Sequence, residues 1–237
     1  MLQLHYEPDA IRATHNLAER LEHELGQGKK IVWLVSGGSN IPLSVHIMQH
    51  LTANVSDKLA NLTIGLSDER YGKPGHADSN WQQLEVAGLK TGDADVIRTL
   101  VPGLTLADTC SAYEQQLGRA IASADKVIAQ LGMGGDGHIA GILPDSTAVT
   151  SQDMITGYDG GAYMRITLTV KAFSLIQVAY CFAYGDNKLG ALQRLIGKKV
   201  SISDQPAQLL KTIPEAYIYT DQQTEQQADQ QSLATPS

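Results

Sequence analysis

The chain is 237 residues long and carries 18 Lys and Arg against 25 Asp and Glu, a net charge of −7. That balance excludes a general nucleic-acid binder, so an anion site has to be a local concentration of basic groups. A hydrophobic content of 43% with 18% charged residues is enough for a sizeable core in one α/β domain, or at most two small ones.

Residues 8–25 repeat apolar side chains at three and four (Ala10, Ala13, Leu17, Leu21, Leu25) between charges, the pattern of an amphipathic helix with Pro8 in its first turn. Residues 30–35 form an apolar run that stops at Ser36-Gly37-Gly38-Ser39-Asn40, and Pro42 then opens a helix through Leu43, Ile47 and Leu51. Strand, Gly-rich turn and helix together can cradle a phosphate on backbone N–H groups. The turn is neither a G-x-G-x-x-G nor a Walker loop, and it lacks the G-x-S-x-G of a serine hydrolase. His46 and His50 lie four apart without the Glu of H-E-x-x-H, and read as surface or half-buried histidines.

A second strand over residues 62–66 ends in Ser67-Asp68-Glu69-Arg70-Tyr71, either a solvated loop or a site. Open α/β sheets bind ligands at the carboxyl ends of their strands, which favours the site. Ser79-Asn80 is a cap for a helix from Trp81, and residues 108–122 form another helix. Residues 163–170 alternate, with Arg165, Thr167 and Thr169 on a wet face. An apolar run at 176–183 leads to Tyr184-Gly185-Asp186-Asn187-Lys188 and a helix that Asp186 should cap. Lys188 opposes that helix's dipole; it either points to water or clamps an anion docked there. Residues 216–220 are a last strand, and the Gln-rich tail, 221–237, reads as disordered.

The third clear strand, residues 126–131, runs into Gly132-Met133-Gly134-Gly135-Asp136-Gly137-His138, four glycines in six residues followed by a His. Backbone that bare can approach a ligand, and the His can exchange a proton near neutral pH. The loop therefore reads either as the seat of a catalytic base or as a tight turn with a surface His. If the sheet is parallel, the ends of these strands share one rim that carries the glycine cradle, Arg70, His138 and Lys188. Cys110 and Cys181 fit no metal or redox spacing and read as buried thiols. No basic segment followed by an apolar stretch opens the chain, and residues 175–183 are too short to cross a bilayer, so a cytoplasmic location is expected.

Asp68-Glu69-Arg70-Tyr71 with Ser79-Asn80, the 132–138 loop, Arg165-Ile166-Thr167-Leu168-Thr169 and Gly185-x-x-Lys188 together resemble the 6-phosphogluconolactonases, in order, over about residues 30–220. The wider superfamily includes the glucosamine-6-phosphate deaminases. The resemblance implies a single α/β domain over residues 1–220 with a modified Rossmann-like fold (NagB/RpiA-like), a mostly parallel sheet with helices on both faces. It implies hydrolysis of 6-phosphogluconolactone in the pentose phosphate pathway without metal or organic cofactor. The expected partner is a small sugar phosphate, with no nucleic acid or membrane, and the chain is expected to be a monomer or small homo-oligomer. By the same resemblance His138 is the general base. Gly37, Gly38, Ser39, Asp68, Arg70 and Lys188 bind substrate and phosphate, with Arg70 on the phosphate or the oxyanion. Asp136 orients His138 or stiffens its loop.

Three departures stand out: the first turn is one residue longer, Ile139-Ala140-Gly141-Ile142-Leu143-Pro144 replaces T-A-S-L-F-P, and residues 72–78 replace a Val-Pro. The deaminase signature has D-E-Y and a Glu in D-G-H-I-A-F-N-E-P; here Arg70 and Leu143 stand at those positions. Ile139-Ala140 is deaminase-like. A non-catalytic sugar-phosphate sensor is a further alternative. Such proteins carry a DNA-binding module, and no helix-turn-helix pattern precedes residue 30.

Overall fold

In chain order the elements of the computed structural model, which describes residues 1–223, are β1 (Leu2–Tyr6), α1 (Ala10–Gly26), β2 (Ile31–Val35), α2 (Ile41–Asn54), β3 (Leu62–Leu66), β4 (Asp68–Arg70) and α3 (Asn80–Val86). There follow β5 (Asp95–Val96), α4 (Leu106–Ser123), β6 (Lys126–Gly132), α5 (Thr147–Thr150), β7 (Ile155–Asp159) and β8 (Met164–Leu168). The last are α6 (Val170–Phe173), β9 (Val178–Phe182), α7 (Leu189–Gly197), a 3-10 segment (Pro206–Thr212) and β10 (Glu215–Thr220). Seven strands make one sheet in the order β1-β10-β9-β6-β2-β3-β5, every pair parallel. A second, antiparallel sheet, β4-β8-β7, lies beside it.

The apolar runs follow from burial on both faces. In β2, Val32 and Leu34 join Tyr113 and Leu117 of α4 in one core, while Ile31, Trp33 and Val35 join Leu17 and Leu21 of α1 and Ile47 of α2 in the other. Alternate residues of one strand thus feed two cores, and each fully buried large side chain contributes roughly 1.5–3 kcal/mol. The fold is Rossmann-like, a parallel sheet with a small antiparallel sheet beside it and flanking helices. Among the described residues no helix is long and apolar enough to cross a membrane.

Several sequence expectations need correction. Asp9, not Pro8, borders α1, and its carboxylate accepts from Ile11 and Arg12 N–H. Asp68–Arg70 is a strand rather than a loop. Asp186 caps nothing: it begins a 3-10 turn, Asp186–Lys188, and its Oδ1 accepts from Gln222 Nε2. The wet face assigned to residues 163–170 is not wet. Thr167 and Thr169 are buried because other segments lie on them, and they donate to the carbonyls of Ala140 and Asp153. Strands β1 and β7 lie where no element was expected. Of the Gln-rich tail, residues 224–237 lie outside the described residues. Cys110 and Cys181 are free and buried. His46 and His50 are half-buried and face different partners, Thr14 Oγ1 and Glu22.

Candidate functional site

Four adjacent parallel strands, β9, β6, β2 and β3, end at one rim of the large sheet. There a cavity of about 170 Å³ is lined by Ser36, Gly37, Gly38, Ser39 and Asn40 after β2, and by Asp68 and Arg70 of β4. Gly132, Met133, His138, Ala140 and Gly141 after β6 complete it with Arg165 of β8 and Lys188 before α7. The structure therefore brings Gly37, Gly38, Ser39, Asp68, Arg70, His138 and Lys188 together. Asp136 is outside the lining and acts on it through His138. A larger groove, about 610 Å³, runs between α4 and β7. Its lining has Glu114 and Asp153 and no basic side chain, so it is no place for an anion.

The loop after β6 is shaped around the histidine. Gly137 N–H donates to Gly134 O (3.0 Å) and Gly134 N–H to His138 O (2.9 Å), which closes a tight turn. A Cβ at Gly134 would lie 2.2 Å from the His138 ring, so only glycine lets the imidazole fold back across the turn. Asp136 Oδ1 accepts from His138 N–H (3.1 Å) and from ring Nδ1 (2.7 Å). Burial disfavours the Asp136 carboxylate, but the backbone N–H, charge and ring N–H of His138 outweigh it and hold its pKa below the ordinary value. An ionised carboxylate can only accept, so Nδ1 carries the proton of that bond, and whenever the ring is neutral its lone pair is on Nε2.

The turn continues through Ala140 and Gly141, both with positive φ (50° and 74°), flanked by hydrogen bonds between Ile139 and Ile142. An alanine in that region is strained by roughly 1 kcal/mol or more. Thr167 Oγ1 holds the Ala140 carbonyl and Tyr158 OH the Gly141 carbonyl (2.6 Å), so the small sheet clamps the strained turn.

The Asp-Glu-Arg stretch splits by strand alternation. Asp68 and Arg70 face the cavity, while the fully buried Glu69 points the other way. Its carboxylate accepts from Asn80 N–H (2.7 Å), Trp81 N–H (3.2 Å), Ser79 Oγ (2.9 Å) and Arg70 N–H (2.7 Å), and so binds the start of α3.

The electrostatics of the cavity are unbalanced. Arg70 donates to the Asp78 carbonyl (2.9 Å) and lies over the Tyr163 ring, and no carboxylate pairs with it among the described residues. Arg165 approaches Asp68 only to 3.9 Å, and its buried Nε has no partner. Lys188 Nζ makes no ion pair or hydrogen bond among the described residues. Three cations thus share a half-buried cavity with one carboxylate, which is a site for a multiply charged anion.

Residues 8–218 match the family model described as glucosamine-6-phosphate isomerases/6-phosphogluconolactonase. The chain belongs to that family. Its relatives include a 6-phosphogluconolactonase of Xylella fastidiosa, 28% identical over 87% of this chain and 88% of that protein. Another is that of Bos taurus, 26% identical over 73% of this chain and 70% of the other. Among solved structures, a Thermotoga maritima 6-phosphogluconolactonase superposes with a TM-score of 0.74 at 20% identity, covering 93% of this chain and 99% of the other. A monomeric glucosamine-6-phosphate deaminase superposes with a TM-score of 0.76 at 17% identity, covering 96% and 99%. Both branches of the family share this fold, so the fold does not choose between them.

Within this cavity, Arg165 is a residue to which the sequence gives no role of its own, and Asn40 is one that enters there only as the end of the 36–40 turn. The signal for Arg165 was present as a cation on an alternating strand whose neighbours belong to the family motif. Asn40 was visible only as a departure in the first turn.

Proposed function

We propose that the chain hydrolyses 6-phospho-D-glucono-1,5-lactone to 6-phosphogluconate. The observation that carries this reading is His138, anchored through Nδ1 to Asp136, beside three cations that lack matching carboxylates. Lys188, Arg165 and the 36–40 turn at the start of α2 hold the phosphate dianion, which fixes the lactone carbonyl near His138. His138 Nε2 takes a proton from water as the water oxygen bonds to C1. The carbonyl pair moves onto its oxygen, and Arg70 offsets that charge. The intermediate collapses by breaking the bond from C1 to the ring oxygen. The imidazolium returns its proton to that oxygen, leaving a carboxylic acid that ionises.

The deaminase alternative needs a proton relay that this loop does not provide. Leu143 stands where the deaminase pattern has Glu, and its side chain carries no titratable group. Leu143 also lies outside the cavity lining, with its N–H donated to Tyr158 OH. The reading places the protein in the cytoplasm with a small sugar phosphate as partner. The test is base consumption at constant pH with freshly generated lactone, corrected for spontaneous hydrolysis, beside an ammonia assay on glucosamine 6-phosphate. His138→Ala should lower the enzymatic rate by about 10²–10⁴-fold with little loss of product binding. Ammonia release, or undiminished turnover in that variant, contradicts the proposal.

A further inference from the structure

Asn40 occupies the N-cap position of α2, where an asparagine ordinarily accepts an N–H of its own helix, yet it makes no such bond. Its side chain turns instead toward Gln130, a fully buried glutamine of β6 that is 90 residues away in the chain. Gln130 Nε2 donates to the Asn40 main-chain carbonyl (3.2 Å) and to Asn40 Oδ1 (3.3 Å). Gln130 Oε1 accepts from Ser44 Oγ (3.1 Å).

This network fixes which way each amide faces. A main-chain carbonyl can only accept, so the Gln130 nitrogen must point at Asn40, and the Asn40 side-chain oxygen must point back. The Asn40 nitrogen is then forced to the opposite side. There it lies against Gly132, where a Cβ would come within 2.5 Å of it, and both residues line the cavity. Asn40 is 1% exposed, and its Nδ2 has no hydrogen-bond partner among the described residues. A helix cap is forgone, a glycine stands at the mouth of the His138 loop, and an N–H₂ group without a partner lies between two cavity-lining residues.

We infer that Asn40 donates a hydrogen bond from Nδ2 to an acceptor oxygen of the bound sugar phosphate, and that Gln130 is the positioning residue that holds the carboxamide in that orientation. This deepens the lactonase reading and rests on it for the identity of the substrate. Without Gln130 the amide rotates freely, and half of its orientations offer an oxygen to an anion.

The experiment is calorimetric titration of 6-phosphogluconate and of inorganic phosphate into the wild type, Asn40→Ala, Gln130→Met and the double variant, with steady-state kinetics on the lactone. Asn40→Ala should weaken 6-phosphogluconate binding about 5–30-fold and Gln130→Met about twofold or more, each raising KM by a similar factor while kcat stays within about threefold, as for a contact made equally in ground and transition states. The double variant should bind no more weakly than Asn40→Ala alone. Equal weakening of inorganic phosphate assigns the acceptor to the phosphate; unchanged phosphate binding assigns it to the sugar. Additive losses in the double variant reduce Gln130 to a structural role and overturn the positioning claim. If Gln130→Met does not fold, Asn40→Asp decides the donor claim alone. It keeps the oxygen toward Gln130 but replaces the N–H₂, and wild-type binding would overturn it. A wild type that binds 6-phosphogluconate without hydrolysing lactone removes the lactonase assignment, and the binding cycle still reports on Asn40.

Discussion

Asp136→Asn separates two roles that are superimposed in the His138 loop. The carboxylate Oδ1 accepts both from the backbone N–H of His138 and from its ring Nδ1. An asparagine oxygen can accept the same two bonds, so the turn and the ring tautomer survive the change. What disappears is the negative charge that would face the imidazolium in the proposed hydrolysis, where water gives its proton to His138. With charge centres roughly 4 Å apart, the attraction is about 4 kcal/mol at an effective dielectric of 20 and about 1 kcal/mol in bulk water. His138 is 35% and Asp136 51% exposed at the side chain, so solvent screening holds the value near the lower part of that range. A loss of about 1–2 kcal/mol from the transition state predicts a fall in kcat of roughly 5–30-fold, with KM nearly unchanged. Asp136→Ala should fall further, because the hydrogen bond that shapes the turn goes as well. The assay is lactone hydrolysis at neutral pH, with circular dichroism to verify the fold. If Asp136→Asn keeps kcat within twofold while Asp136→Ala loses it, the carboxylate only shapes the turn, and the charge argument is wrong.

Lys188→Ala should act on binding, raising KM about 10–100-fold with kcat changed little, since a charge-assisted bond to phosphate contributes about 1.5–3 kcal/mol; an unaltered KM removes Lys188 from the phosphate site. Glu69→Ala strands three backbone N–H groups and a hydroxyl, and urea titration should show a loss of about 3–5 kcal/mol. A loss under about 1 kcal/mol would mean that water replaces the carboxylate there. Glu24 is a pH probe remote from the site: burial opposes its ionisation, but Lys126 (2.5 Å), Lys29 (2.6 Å) and Arg20 (2.8 Å) bring its pKa from the ordinary 4.5 to about 2. The folded pKa is depressed, so this stabilisation is full above pH 4.5 and is lost as pH falls toward 2, by about 3 kcal/mol in all. Glu24→Gln should flatten the stability profile in that window.

Legibility in the sequence tracked burial. Strands β2, β3, β6, β9 and β10 are buried on both faces or nearly so, and their runs of apolar residues announce them. Strand β1 is an edge strand whose partner is the last strand of the chain. Strand β7 has glycine at its centre and exists because β8 pairs with it. Thr167 and Thr169 read as solvent-facing because alternation assigns a residue to a face without saying what covers that face. The rim was readable for a different reason. Parallel strands must end on the same side, so Arg70, His138 and Lys188 converge from segments far apart in sequence. The orientation of Asn40 was not readable, because it is set by Gln130 across the sheet.

The same rule explains why position 143 carries weight that the fold does not. A lactonase and a deaminase superpose on this chain with TM-scores of 0.74 and 0.76, so the fold is common ground. The two chemistries part at proton traffic. Opening a lactone needs one base, which can return the same proton to the oxygen that leaves. The deaminase pattern adds a carboxylate beside the histidine, on the stretch that follows the 139–142 turn. That turn is held by two clamps from the small sheet and by the left-handed Ala140 and Gly141, so the residue after it has a defined place. The place is taken by Leu143, whose main-chain N–H is tied to the same Tyr158 hydroxyl that clamps Gly141. A flexible loop could have recruited a distant carboxylate; this one is fixed, with an apolar side chain where the relay would have to start.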